Sequence, residues 1–220
     1  MLRQCGFSIA RKNELQETHG RPTSSLIRAL ALLRMAITFW KAPAGDRLKD
    51  KRDRALLALL LACGLRRHEA IAHRLEHLQQ REDHWAIVDQ IGKGGHVRTV
   101  PVPDWVEQML DQWLLASGVI QGRIFRRVNK VGAWGAGMTE KAVWHIVKGA
   151  AKISGIDTLA PHDLRRTCAR LCHAADGELE QIQFLLGHVS IQTTQRYLGC
   201  KQRIRSAVNG CIGIEVRADL

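Results

Sequence analysis

Apolar residues along most of this chain recur at helical spacing. Leu26, Ile27, Leu30, Leu33, Ile37 and Trp40 trace one helix face, after the candidate caps Ser24 and Ser25. Residues 41–51 carry Pro43, Gly45 and several charges, and read as a loop. Residues 54–63 are apolar on every face after Arg54, which predicts a buried central helix ending near Gly64. A second short helix is expected over about 66–75. The pattern then changes to that of strands, over 77–80, 84–91 and 97–102, with turns at 81–83 and 92–95. Asp104 can cap a helix whose inner face holds Val106, Met109, Leu110, Trp113 and Leu114. Residues 118–137 are Gly-rich and basic and are expected to form a surface loop. Helices follow over 139–151, 162–175, 178–186 and 190–198, with Gly187 ending one and Ser190 starting the next. The expected fold class is α+β, mainly α-helical, with a small three-stranded antiparallel sheet.

Charge adds a partner to this outline. Lys and Arg number 33 against 21 Asp and Glu, a formal net charge of +12. Such a surface suits a polyanion, and nucleic acid is the usual one. The most apolar run, 55–63, is too short to span a bilayer, and residues 1–11 lack the apolar core of a secretory signal. The expectation is a cytoplasmic protein with no membrane partner, whose six cysteines are reduced thiols. Cys168 and Cys172 share a helix face near His162 and His173, but the paired CxxC spacing of a structural zinc site is missing. No metal is expected. No GxxxxGK[ST] loop is present, so no nucleotide cofactor is expected either.

The chain contains a single tyrosine, Tyr197. A lone tyrosine on a helix is more often a packing residue than a nucleophile. Its surroundings argue otherwise. In "LLGHVSIQTTQRYLG" His188 stands nine residues before it, and in "PHDLRRT" His162 and Arg165 fall on one helical face.

These segments resemble the tyrosine recombinase (phage integrase) family, in that family's order across residues 64–198. "ACGLRRHEA" resembles the segment with the first catalytic arginine, matching Arg66, and an acidic residue matching Glu69. "GKGGHVRTVPVP" resembles the β-hairpin with the catalytic lysine, matching Lys93. "PHDLRRT" matches His162 and Arg165, and "LLGHVSIQTTQRY" matches His188 and Tyr197.

The resemblance implies an enzyme that cuts and rejoins double-stranded DNA through a 3′-phosphotyrosine bond, without metal or ATP. The residue types suit that chemistry. Arg66 and Arg165 would hold the non-bridging phosphate oxygens with directed hydrogen bonds, and His188 would add a donor. A phenol of pKa near ~10 needs a base or cationic surroundings to attack at neutral pH. His162 is the candidate acceptor of its proton, and Lys93 the candidate acid for the leaving 5′-oxygen. Glu69, one turn after Arg66, would orient or buffer the cations. Arg54, Arg67, Arg74 and Arg166 are expected to be solvated charges or phosphate contacts.

The implied role is site-specific recombination, such as integration or excision of a mobile element, by a homo-tetramer on nucleoid DNA. Two alternatives remain: a non-cleaving DNA-binding remnant of an integrase, and a type IB topoisomerase-like enzyme. The expected organisation is a tail or remnant linker over 1–24, a catalytic domain over 25–200, and a tail over 201–220 that is exchanged between subunits or folds back. The family's separate helical DNA-binding domain is expected to be absent, because two dozen residues cannot pack as one. Arg67 and His68 stand where the family often has less charged residues.

Overall fold

A computed structural model describes residues 24–199 other than 92–94, 96, 133 and 157. Helix α1 (Ser24–Trp40) leads through a turn into α2 (Leu48–Ala62). From Ala55 to Leu60 every residue of α2 has no exposed surface. A leucine-rich stretch of helix with no polar face is stable only when covered on all sides, and each buried leucine contributes roughly 1.5–3 kcal/mol.

This helix begins at Leu48, six residues before the apolar run that predicts it. Its first two turns are charged, and those charges are tied down locally. Arg47 donates to Asp50 at 2.9 Å, and Arg54 donates to the carbonyls of Pro43 and Gly45, each at 2.6 Å. The buried Arg52 pairs with Asp53 at 2.6 Å. Hydrophobic periodicity cannot see a helix turn stabilised by ion pairs.

Helix α3 (Arg67–Ala72) is shorter than expected and gives way to a single 3-10 turn, Leu75–His77. Here the backbone pairs with a distant segment instead of continuing the helix: Leu75 N donates to Gly122 O at 2.9 Å, and Ile124 N to His73 O at 3.0 Å. Strands β1 (Leu78–Arg81), β2 (His84–Ile91) and β3 (Val97–Val102) then form an antiparallel sheet in that order. Ile87 is paired with Leu78 on one side and Val100 on the other.

Helix α4 (Asp104–Ser117) packs on α2. The segment after it corrects the sequence reading. Residues 118–137 are not simply a surface loop: they contain strands β4 (Arg126–Val128) and β5 (Trp134–Gly137), and Ile124 and Phe125 are fully buried. Trp113 donates to Ile124 O at 2.9 Å, while the Arg126 guanidinium lies 4.3 Å from the centre of the Trp134 ring. Short, glycine-rich strands with one aromatic residue carry too little alternation to be read from sequence.

Four helices complete the domain: α5 (Glu140–Ile153), α6 (Pro161–Ala174), α7 (Leu179–Leu186) and α8 (Ile191–Leu198). Thr139 caps α5 by accepting from Ala142 N at 3.2 Å, and Pro161 opens α6, where a missing N–H costs nothing. Helix α6 packs against α1, α2, α7 and α8, so its own side chains reach several neighbours at once. Among the described residues, no helix is long and apolar enough to cross a membrane.

Candidate active site

The site forms where the chain leaves α2. Gly64 has φ +57°, and a Cβ there would fall 2.8 Å from Leu186 Cδ2. Only glycine lets the backbone turn in this way and pass so close to the end of α7. The Gly64 carbonyl faces Arg165 of α6, which donates to it from Nη1 at 2.5 Å and from Nη2 to Leu186 O. Arg165 is 1% exposed, so its guanidinium is held between the end of α2 and the end of α7. Two of its five N–H bonds are used in this way, and the guanidinium also hydrogen-bonds toward Tyr197.

Two residues after Gly64, Arg66 stands at the N-cap of α3. Its Nη1 donates to Glu69 Oε1 at 2.7 Å, and its backbone N to Glu69 Oε2 at 2.8 Å. Glu69 is buried, and it receives a second cation, Arg98 of β3, whose Nη2 lies 3.0 Å from Oε2. Burial alone would raise the Glu69 pKa. The backbone hydrogen bond from Arg66 and the charge of Arg98 outweigh it, holding the carboxyl down at about 2. Glu69 is therefore ionised at any working pH.

Tyr197 projects from α8 toward α6. Its Oη lies 2.7 Å from His162 Nε2, and the Arg166 guanidinium sits 5.4 Å from the ring centre. Burial raises the Tyr197 pKa, opposed by the charges of Arg165 and Arg166. Burial also lowers the His162 pKa, aided by the same two arginines. At neutral pH the pair is a neutral phenol against a neutral imidazole.

His188 follows the left-handed turn at Gly187. Its ring centre lies 5.1 Å from that of Tyr197, and its Nδ1 is 3.0 Å from Thr194 Oγ1, a hydroxyl in a fully buried residue. Burial and the charges of Arg165 and Arg66 push His188 down to about 4.

Six residues marked in the sequence thus come together from across 132 positions: Arg66, Glu69, His162, Arg165, His188 and Tyr197. The seventh, Lys93, lies outside the described residues. A cavity of about 200 Å³ opens among Arg66, Arg67, His68, Glu140, His162 and Arg165. Arg67 and His68, the unusual pair, therefore line the same hollow, with Arg67 3.6 Å from Glu140. Cationic walls beside a half-buried phenol suit an anionic ester.

Three contributors escaped sequence reading. Arg98 occupies a core-facing strand position, which alternation with Val100 and Val102 reveals only in retrospect. Thr194 carries no signal beyond its helix. Arg166, expected among the solvated charges or phosphate contacts, lies against the Tyr197 ring. Cys63, Cys168 and Cys172 are free thiols, and burial pushes Cys63 up to about 12. Among the described residues, no group of three or more His, Cys, Asp or Glu gathers as metal ligands would.

Residues 38–203 match the Phage integrase family, and the chain belongs to that family, with the fold of a tyrosine recombinase catalytic domain. It is 37% identical over 166 residues to tyrosine recombinase XerD of Proteus mirabilis, covering 71% of this chain and 50% of that protein. With tyrosine recombinase XerC of Corynebacterium efficiens the identity is 33% over 180 residues, covering 80% and 55%. The chain thus spans about half the length of the curated relatives it matches. Among solved structures, the site-specific recombinase XerH bound to difH substrate, in a pre-cleavage complex, has TM-score 0.67 at 20% identity, covering 82% of this chain and 52% of that one. XerA recombinase has TM-score 0.61 at 22% identity, covering 81% and 62%. At these identities the likeness establishes the fold.

Proposed function

We propose that this chain cleaves and rejoins double-stranded DNA through a 3′-phosphotyrosine at Tyr197, as the catalytic domain (residues 25–200) of a site-specific recombinase. The observation that carries the reading is the 2.7 Å contact between Tyr197 Oη and His162 Nε2 beside Arg66 and Arg165. Tyr197 Oη attacks the scissile phosphorus and passes its proton to His162 Nε2. The bond from phosphorus to the 5′-oxygen breaks as Lys93 donates a proton to that oxygen. The products are the phosphotyrosine and a free 5′-hydroxyl. Attack by a 5′-hydroxyl reverses the steps, and the covalent bond conserves the phosphodiester energy, so religation needs no ATP.

Charge gathering on the non-bridging oxygens is met by the guanidinium groups of Arg66 and Arg165. In the neutral tautomer in which Nδ1 accepts from the Thr194 hydroxyl, His188 carries its hydrogen on Nε2 and becomes a further donor. Arg66 and Arg165 supply the charge neutralisation that divalent ions supply in two-metal nucleases, so no metal enters the scheme.

Exchange between two duplexes breaks four strands, and the chain has a single tyrosine, so a homo-tetramer is the assembly that completes it. Integration or excision of a mobile element is the role in view.

The test is a DNA duplex nicked near the cleavage site, which loses its short 5′-hydroxyl fragment and traps the enzyme. A covalent adduct on a denaturing gel, formed equally in excess EDTA, is expected. No adduct with any recombination-site DNA would leave the non-cleaving reading. An adduct that requires added Mg²⁺ would replace the cationic mechanism with a metal-dependent one.

For Lys93 the expected result is a rescue. Lys93→Ala should trap poorly on an ordinary phosphodiester, by on the order of 100-fold or more. A substrate with sulfur at the leaving 5′ position departs without a proton and should restore trapping to near the wild-type rate. Equal loss on both substrates would assign Lys93 another task.

A further inference from the structure

Arg98 belongs to no part of the scheme above, yet it is tightly held. It lies on β3, on the face shared with Val100 and Val102, a position that strand alternation assigns to an apolar side chain. Its side chain is 9% exposed. One arm, Nη2, binds Glu69 at 3.0 Å, and Nε donates to Leu185 O at 3.2 Å. The other arm, Nη1, is buried with no hydrogen-bond partner. It lies under Gly187: a Cβ on that residue would meet Nη1 at 2.9 Å and Cδ at 3.0 Å.

Burying a guanidinium with an unsatisfied arm is costly, and a methionine or leucine would fill the same core position without that cost. Stability alone therefore does not explain the choice. What the three contacts share is their targets. Glu69 holds Arg66 from the other side. Leu185 precedes Leu186, whose carbonyl holds Arg165. Gly187 precedes His188. One rigid fork on β3 thus touches the immediate support of each of the three groups proposed to hold the phosphate.

We infer that Arg98 is the positioning residue that sets Arg66, Arg165 and His188 in register with one another. The inference rests on the phosphotyrosine reading. Glu69 sits between two cations, so its carboxylate is fixed at both oxygens and Arg66 cannot swing away from the cavity. No contact between Arg98 and DNA is needed. Its effect is on where the phosphate-holding donors stand, and misplacement of such groups by about 1 Å costs on the order of 100-fold in rate.

The test uses the full chain and the nicked duplex, prepared with either a natural phosphodiester or an uncharged methylphosphonate at the scissile position. The neutral substrate lacks the negative charge that the arginines must meet. Arg98→Met should bind the DNA within about twofold of wild type and form adduct about 100-fold more slowly on the phosphodiester. On the methylphosphonate its deficit should shrink to less than about tenfold relative to wild type, because placement of the cations then matters less. Arg98→Lys keeps the charge but cannot serve Glu69 and Leu185 O together. It should fall between Arg98→Met and wild type, and it carries the test if Arg98→Met does not fold. The same deficit on both substrates would mean that Arg98 only supports the fold, and wild-type rates in Arg98→Lys would mean that the fork is not required. Either result overturns the inference. Absence of adduct from the wild-type chain on both substrates would instead overturn the phosphotyrosine reading on which it rests.

Discussion

Tyr197→Phe is expected to leave DNA affinity within about twofold of wild type while abolishing the covalent adduct. The ring stays, with its edge contacts to His162 and His188 at centroid distances of 5.6 and 5.1 Å, and so does the Arg166 contact. Only the oxygen 2.7 Å from His162 is removed. No other tyrosine exists in the chain to replace it. Adduct in Tyr197→Phe, read on a denaturing gel, would sink the assignment.

The wild-type enzyme should show a related pH dependence. His162 serves as proton acceptor only when neutral, and burial with Arg165 and Arg166 holds its pKa below the usual 6.5. The trapping rate should therefore hold as pH falls through 6.5 and drop only at more acid pH. His73 and His188 bear on the same range through folding. Each has a folded-state pKa of about 4 against 6.5, set first by burial. The unfolded chain takes up these protons first, so their contribution to stability is present above pH 6.5 and lost as pH falls toward 4. Circular dichroism measured alongside the rate separates loss of the base from loss of the fold.

The second large effect is expected at Arg165. Arg165→Lys should slow adduct formation by on the order of 100- to 1000-fold. A lysine ammonium is a point charge. It cannot span the carbonyls of Gly64 and Leu186 while presenting a planar fork to phosphate oxygens. Arg165→Met should add a folding defect, because two buried carbonyls lose their donor. That costs at least about 2 kcal/mol, a fall in Tm on the order of 5 °C. A Lys variant with a wild-type trapping rate would show that directed hydrogen bonding at this position is unnecessary.

The contrast between Arg165 and Arg98 shows how much of the site was legible in the sequence. Arg165 lies in "PHDLRRT", where spacing and residue types together carry the family's pattern, and that pattern also marks His162, His188, Arg66, Glu69 and Tyr197. The helices from α4 onward were legible for a related reason. They have one buried face each, and their ends carry local signals such as Thr139, Pro161 and Gly187.

What sequence alone determined was therefore local and periodic: the helix faces, the three strands, the basic surface, and the identities of the residues with chemical potential. Tertiary structure decided everything set by contacts between distant segments. The charged start of α2 is helical because Arg54 reaches back to Pro43 and Gly45. The segment over 118–137 forms strands because Ile124 and Phe125 fill the core and Trp113 bonds to it. Arg98 stands out among the arginines only once β3 is laid against Glu69 and Gly187. A pairwise contact across dozens of residues leaves no period in the chain, and the partners of a buried cation become visible only when folding brings them within about 3 Å.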